Sequence, residues 1–307
     1  MSSKTAFLFP GQGAQEVGMA ADVVASSPAA KAVFDEADDV LGISLSNIIL
    51  EGPHDELVRS HNAQPAILTA SVALLRALEE RMGDAMPRPA YVAGHSLGEY
   101  SALVAVGSLD FTQALRLVRR RGELMQAAAE ATPSGMAALI GLTLPQAHAA
   151  CEGTGAQVAN ANSEQQIVIA GPSAALEAAI DRAKEAGARR ALPLDVAGAF
   201  HTEVMRSAQD EMDSLFAETA FVDPAVPVIC NTTATPLLTG DDIRGELADQ
   251  LCGCVYWQHI VEYMAANGVD RFIEIGPGKV LTGLAKRIAA GAETVAIGDL
   301  DALGALT

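Results

Sequence analysis

The sequence predicts an α/β protein: a hydrolase-like core with a largely parallel sheet, plus an inserted ferredoxin-like subdomain. Three observations predict it. Short apolar runs alternate with helical periodicity from the N-terminus onward, the pattern of parallel strands covered on both faces. Half of the 307 residues are hydrophobic and only 4% are aromatic, which suits closely packed layers of small side chains. Between residues 132 and 196 the rhythm changes to β-α-β-β-α-β, the order of a ferredoxin-like unit.

Taken in order, TAFLFPGQG (5–13) reads as a buried strand entering a Gly-rich turn. Helical periodicity follows to about residue 40 and again over 63–82. RPAYVAGHS is a strand ending at Ser96, LGEYSALVAVGSL begins as a helix, and 110–131 is a helix with a basic middle. GMAALIGL (135–142), LPQAHAACEG, AQVANAN, QQIVIAG, SAALEAAIDRAKEAG and ARRALPLDV supply the strands and helices of the small unit. The chain then returns to α/β material. A helix starts near 202, VPVICNT (226–232) is a strand, 241–251 is a helix, and RFIEIGPGKVLTGLAKRI (271–288) is strand, turn and helix. Residues 1–131 and 197–307 are therefore assigned to the large subdomain and 132–196 to the small one. The crevice between them is the natural place for a ligand.

Composition excludes several function classes. The net charge of −18 argues against nucleic-acid binding. No run of uncharged apolar residues is long enough to span a membrane. The N-terminus has too short an apolar run for a signal peptide, which points to the cytoplasm. Cys151, Cys230, Cys252 and Cys254 have the spacing of neither a zinc site nor a disulfide framework. No metal is expected, and the thiols read as reduced.

Gly94-His95-Ser96-Leu97-Gly98 matches G-x-S-x-G, a strand–turn–helix elbow that lifts a serine nucleophile. Alone the pattern is weak; the strand before it and the helix after it are the context it requires. Ser96 then lies near a helix N-terminus, whose N–H groups can stabilise an oxyanion. A serine hydroxyl needs a base. Of six histidines, His54 and His61 fall in a polar segment, and His148 and His259 in helices. His95, adjacent to Ser96, is poorly aimed. His201 follows a Gly-containing loop where the chain returns from the small unit, and is the best-placed base.

FPGQGAQ (9–15), NAQPAI (62–67), GHSLGEY (94–100), RG-x-x-M (121–125), NANS (160–163), AFH (199–201) and EIGPGKVLTGL (274–284) occur in this order. Together they resemble the malonyl-CoA:acyl carrier protein transacylases, including the acyltransferase domains of fatty acid and polyketide synthases. The resemblance covers essentially the whole chain. It implies ping-pong transfer of malonyl from malonyl-CoA to the phosphopantetheine thiol of acyl carrier protein, with Ser96 as nucleophile and His201 as base. It implies backbone N–H donors at Gln12 and Leu97 for the oxyanion, and Arg121 on the malonate carboxylate, since an Arg fork pairs bidentately. Met125 belongs to the same motif. Phe200, just before the histidine, implies malonyl over branched acyl groups. Gln250 is implied as the residue whose main-chain carbonyl orients the histidine, in preference to Asp195, which reads as a strand-end residue. Asn160 and Asn162 match the family's N-x-N, and read either as site residues, with Asn162 beside the substrate, or as turn residues. Glu99 and Gln64 match the motifs with no assigned step.

The same resemblance implies no resident cofactor, because coenzyme A is part of the substrate and then a product. It implies a monomer. Carrier proteins are strongly acidic, as is this chain, so a local basic patch has to attract the partner. Candidates are Arg116, Arg119 and Arg120, Arg189 and Arg190, and Lys279, Lys286 and Arg287. An acyl-carrier hydrolase, an acyltransferase serving a polyketide synthase in trans, and a non-catalytic carrier-binding module are the alternatives. Arg121 speaks against the first and the Ser96–His201 pair against the last.

Overall fold

The computed structural model describes residues 4–305. Its strands are β1 (Lys4–Phe9), β2 (Pro89–Gly94), β3 (Ser134–Ile140), β4 (Gln157–Ser163), β5 (Gln166–Pro172), β6 (Arg190–Pro193), β7 (Val228–Ile229), β8 (Pro236–Leu237), β9 (Val269–Ile275) and β10 (Glu293–Ile297). One six-stranded sheet has the order β10-β9-β1-β2-β7-β8. Its pairs are parallel except β7 with β8. A four-stranded antiparallel sheet has the order β4-β5-β3-β6. This is the α/β architecture the sequence predicts.

The central strand shows why its sequence is apolar throughout. Phe7 and Phe9 of β1 pack into a core with the helices Pro28–Leu41, Ser60–Met82 and Phe111–Ala131. Ala6 and Leu8 face the other side, against the helices Trp257–Ala266 and Val280–Ile288. A strand buried on both faces has no polar side to display. The small sheet is covered on one face by the helices Leu144–Cys151 and Ser173–Glu185, through Leu139, Ile167 and Ile169. Its other face, through Met136, Ala138, Val168 and Ala170, joins the main core. Backbone bonds between Ala161 and Val255, and between Val255 and Ala159, add a second tie. No helix among the described residues is long and apolar enough to cross a membrane.

Three expectations are corrected. The strand over 226–232 shrinks to Val228–Ile229. Pro227 has no N–H to give a ladder, and beyond Cys230 the N–H groups of Asn231 and Thr232 turn to the Glu246 carboxylate, at 3.0 and 3.1 Å. The helix expected from 202 begins at Arg206, after a 3₁₀ turn over Glu203–Met205 capped by Thr202. The last strand of the small unit ends at Pro193 rather than at 196. The late helix that holds His259 runs over Trp257–Ala266, and strand β10 has no counterpart in the sequence reading.

Candidate active site

The site lies at the C-terminal edge of the parallel sheet, where open α/β sheets collect ligands. A cleft of about 650 Å³ is lined by Gln12, Ser96, Arg121, Met125, Phe200 and His201, with Leu194–Ala197 and the segment around His54–Arg59 among its other walls. The turn after β1 brings Gln12, and the turn after β2 brings Ser96.

That second turn is sharp. A Cβ on Gly94 would lie 1.9 Å from the Gly98 carbonyl, and one on Gly98 would lie 2.1 Å from the Phe9 carbonyl oxygen of β1. Only glycine fits either place, so strand, elbow and helix close on one another. Ser96 between them has φ 52°, in the left-handed region. For a non-glycine residue this costs about 1–3 kcal/mol and persists only where surrounding bonds over-determine it. Here the Ser96 N–H donates to Asn231 Oδ1 at 2.7 Å, and the Ser96 carbonyl accepts from Gln250 Nε2 at 3.1 Å. The helix Gly98–Ala105 starts just beyond. Among the described residues, the N–H groups of Leu97 and Gln12 are spent in none of the turn's hydrogen bonds.

His201 Nε2 stands 2.8 Å from Ser96 Oγ. Its Nδ1 faces the main-chain carbonyls of Gln250 at 2.9 Å and Gly253 at 3.2 Å. Carbonyls only accept, so Nδ1 carries the ring proton and Nε2 presents its lone pair to the serine hydroxyl. Both ring nitrogens are thereby committed, and Asp195, on the cleft wall, is not the histidine's partner. Burial, reinforced by the charge of Arg121, pushes the His201 pKa down to about 3. The imidazole is a free base.

Arg121, on the helix Phe111–Ala131, is 1% exposed. It donates to Gln64 Oε1 at 2.8 Å, Gln250 Oε1 at 3.0 Å and Ser96 Oγ at 3.2 Å, and stands over the Tyr100 ring. These partners are neutral oxygens. Among the described residues its hydrogen bonds go to no carboxylate, and its Nε has no acceptor. Glu99, on the far side of Gln250, attracts Arg121 electrostatically but forms no ion pair with it, and a carboxylate bound beside Ser96 would pair with it directly.

Of the residues the sequence singled out, Ser96, His201, Gln250, Arg121, Gln12, Leu97, Met125 and Phe200 come together here. Asn162 does not line the cleft: its Oδ1 lies 2.9 Å from His95 Nε2 and holds that ring, while Asn160 takes the place on the wall. Gln64 braces Arg121. The sequence missed the wall formed by the His54 segment. It also missed Asn231 and Glu246, which no local pattern marks.

Residues 6–298 match the acyl transferase domain family. The chain is 44% identical over 302 residues to the malonyl CoA-acyl carrier protein transacylase of Bacillus subtilis, spanning 97% of this chain and 94% of that relative. An acyl carrier protein S-malonyltransferase from Vibrio cholerae superposes with a TM-score of 0.96 at 44% identity, over 99% of this chain and all of the other. A malonyl-transacylase solved in complex with its holo type II polyketide synthase acyl-carrier protein gives 0.95 at 41% identity, over 99% of each chain.

Proposed function

The chain belongs to the acyl transferase family, among malonyl-CoA:acyl carrier protein transacylases, and on that premise we propose how its residues carry malonyl from malonyl-CoA to the thiol of an acyl carrier protein for fatty acid synthesis. Ser96 Oγ attacks the thioester carbonyl while His201 Nε2 takes its proton. The C–S bond breaks, and the proton passes to the departing coenzyme A sulfur. In the second half the carrier's phosphopantetheine thiol gives its proton to His201, its sulfur attacks the malonyl-serine ester, and the Ser96 hydroxyl is restored. The N–H groups of Gln12 and Leu97 receive the oxyanion in both halves. Atoms balance without a metal or an organic cofactor, since coenzyme A enters with the substrate and leaves as product. Met125 and Phe200 narrow the space for the acyl chain. Residues 132–196 form the small subdomain that covers the cleft.

The observation that carries this reading is Arg121, a buried cation whose bonds go to neutral oxygens, 3.2 Å from the nucleophile. An acyl group ending in a carboxylate fits it; acetyl leaves the charge without a direct partner.

The depressed pKa of His201 has a kinetic consequence. A lowered pKa means the proton is lost more readily, so the base form persists below the ordinary value of about 6.5. The acidic limb of kcat/KM for acyl-enzyme formation is expected below about pH 5, read by rapid quench from about pH 4.5 to 8. A limb at about 6.5 contradicts this environment for the histidine.

Partner docking falls to the exposed Lys279, Lys286 and Arg287. Arg119 and Arg120 are already paired with Glu123 and Glu211. The test is transfer to a holo acyl carrier protein from malonyl-, methylmalonyl- and acetyl-CoA. Malonyl transfer at least about 10²-fold above acetyl is expected from the buried charge pair. Lys286→Glu/Arg287→Glu is expected to raise KM for the carrier and leave acylation by malonyl-CoA unchanged. Equal use of acetyl-CoA overturns the substrate; an unchanged carrier KM overturns the docking patch.

A further inference from the structure

Glu99 has no part in the steps above, yet it sits where the two grips on Ser96 meet. It lies in the first turn of the helix Gly98–Ala105 and is fully buried. Its Oε1 accepts from both the backbone N–H and the side-chain Nδ2 of Asn231, at 3.1 Å each. Its Oε2 accepts from Gln250 Nε2. Those two side chains hold the two peptide groups that flank Ser96. Asn231 Oδ1 takes the N–H of the 95–96 peptide, and Gln250 Nε2 holds the carbonyl of the 96–97 peptide. Asn231 also donates to the Gly94 carbonyl at 2.8 Å, tying the elbow to the end of β2.

A peptide group is planar, so a bond that fixes the Ser96 carbonyl also fixes the opposite end of the same plane. That end is the Leu97 N–H. A donor on the carbonyl further polarises the N–H across the amide. We propose that Glu99 is a positioning residue: through Gln250 and Asn231 it sets the Ser96–Leu97 peptide so that the Leu97 N–H is aimed at the oxyanion. The inference rests on the acyl-transfer reading of Ser96.

The chemistry of Glu99 fits the task better than an amide. Three N–H groups converge on its two oxygens, both of which accept; burial and the nearby Glu246 raise its pKa well above the ordinary carboxylate value, and these donors from Asn231 and Gln250 oppose that shift. Glutamine has nearly the same shape but one acceptor oxygen, so its NH₂ would meet an N–H donor of either Gln250 or Asn231. One grip on the elbow has to let go, while the fold keeps its volume.

Glu99→Gln is therefore the test, with two rates measured. Acyl-enzyme formation requires the oxyanion donors. Alkylation by iodoacetamide in the Ser96→Cys background forms a C–S bond as iodide leaves, and no oxyanion arises. The expected result is a loss of about 10²-fold in the acylation rate, with KM for the acyl-CoA within about twofold. Between Ser96→Cys and Ser96→Cys/Glu99→Gln, alkylation is expected to stay within about twofold, since the His201 contact is untouched. Acylation at the wild-type rate overturns the inference, and so does an equal fall in both rates. If Glu99→Gln does not fold, Asn231→Ala releases the other grip and is read by the same two rates. The comparison uses whichever acyl-CoA the wild type accepts best. A wild type that prefers another acyl-CoA thus overturns the substrate assignment and still tests Glu99.

Discussion

Replacing His201 by alanine is expected to slow acyl-enzyme formation from malonyl-CoA by about 10³- to 10⁴-fold. The serine hydroxyl keeps its place on the elbow, held at its N–H by Asn231 and at its carbonyl by Gln250. It loses the lone pair 2.8 Å away that takes its proton. Malonyl-CoA KM is expected to change little, because Arg121 and the cleft walls remain. Nucleophile and base act as a unit, so Ser96→Ala/His201→Ala should be no slower than Ser96→Ala. Steady-state malonyl transfer to a holo acyl carrier protein, measured on the four proteins, gives the cycle. Additive losses would mean that the two residues do not share one step.

Arg121→Ala is expected to lower kcat/KM for malonyl-CoA by about 10²- to 10³-fold, while acetyl-CoA changes by only a few fold. Truncating one partner of a buried, hydrogen-bonded charge pair costs about 2–5 kcal/mol, and about 1.4 kcal/mol is tenfold. Arg121→Lys should recover only part of the loss, because an ammonium cannot present the planar fork to a carboxylate. A second readout is independent of substrate choice. The Arg121 charge is one cause of the depressed His201 pKa, after burial. Removing that charge raises the pKa, so the acidic limb of the pH profile should move upward in Arg121→Ala. Parallel losses with malonyl- and acetyl-CoA would mean that Arg121 serves the scaffold rather than the carboxylate.

What was legible in the sequence was what the chain encodes locally. The elbow could be read because Gly94 and Gly98 are demanded by backbone contacts within a few residues of Ser96 and against β1. The alternation of apolar strands and amphipathic helices was legible for the same reason, and so was the β-α-β-β-α-β order. His201 and Arg121 are 105 and 25 residues from Ser96. Chemistry could nominate the histidine, but only family resemblance singled out that arginine from its neighbours Arg116, Arg119 and Arg120. Asn231 and Glu246 left no trace, because Asn231 meets Ser96 and Glu99, and Glu246 meets Asn231 and Thr232, only in the fold. The short β7 was misjudged since VPVICNT is apolar enough for a strand, yet its later N–H groups go to a distant carboxylate. Asn162 was misplaced because positions 160 and 162 would share one face of a regular strand, whereas the register of β4 shifts between Ala161 and Ser163: Asn160 faces the cleft, and Asn162 reaches His95.

The most direct test of the central claim is the intact mass of the protein after brief exposure to malonyl-CoA, for wild type and Ser96→Ala, with the modified peptide sequenced. The expected result is one malonyl adduct on wild type, located on Ser96, and none on Ser96→Ala. An adduct of equal yield on Ser96→Ala, or one mapped to a cysteine, would contradict Ser96 as the acyl carrier of this site.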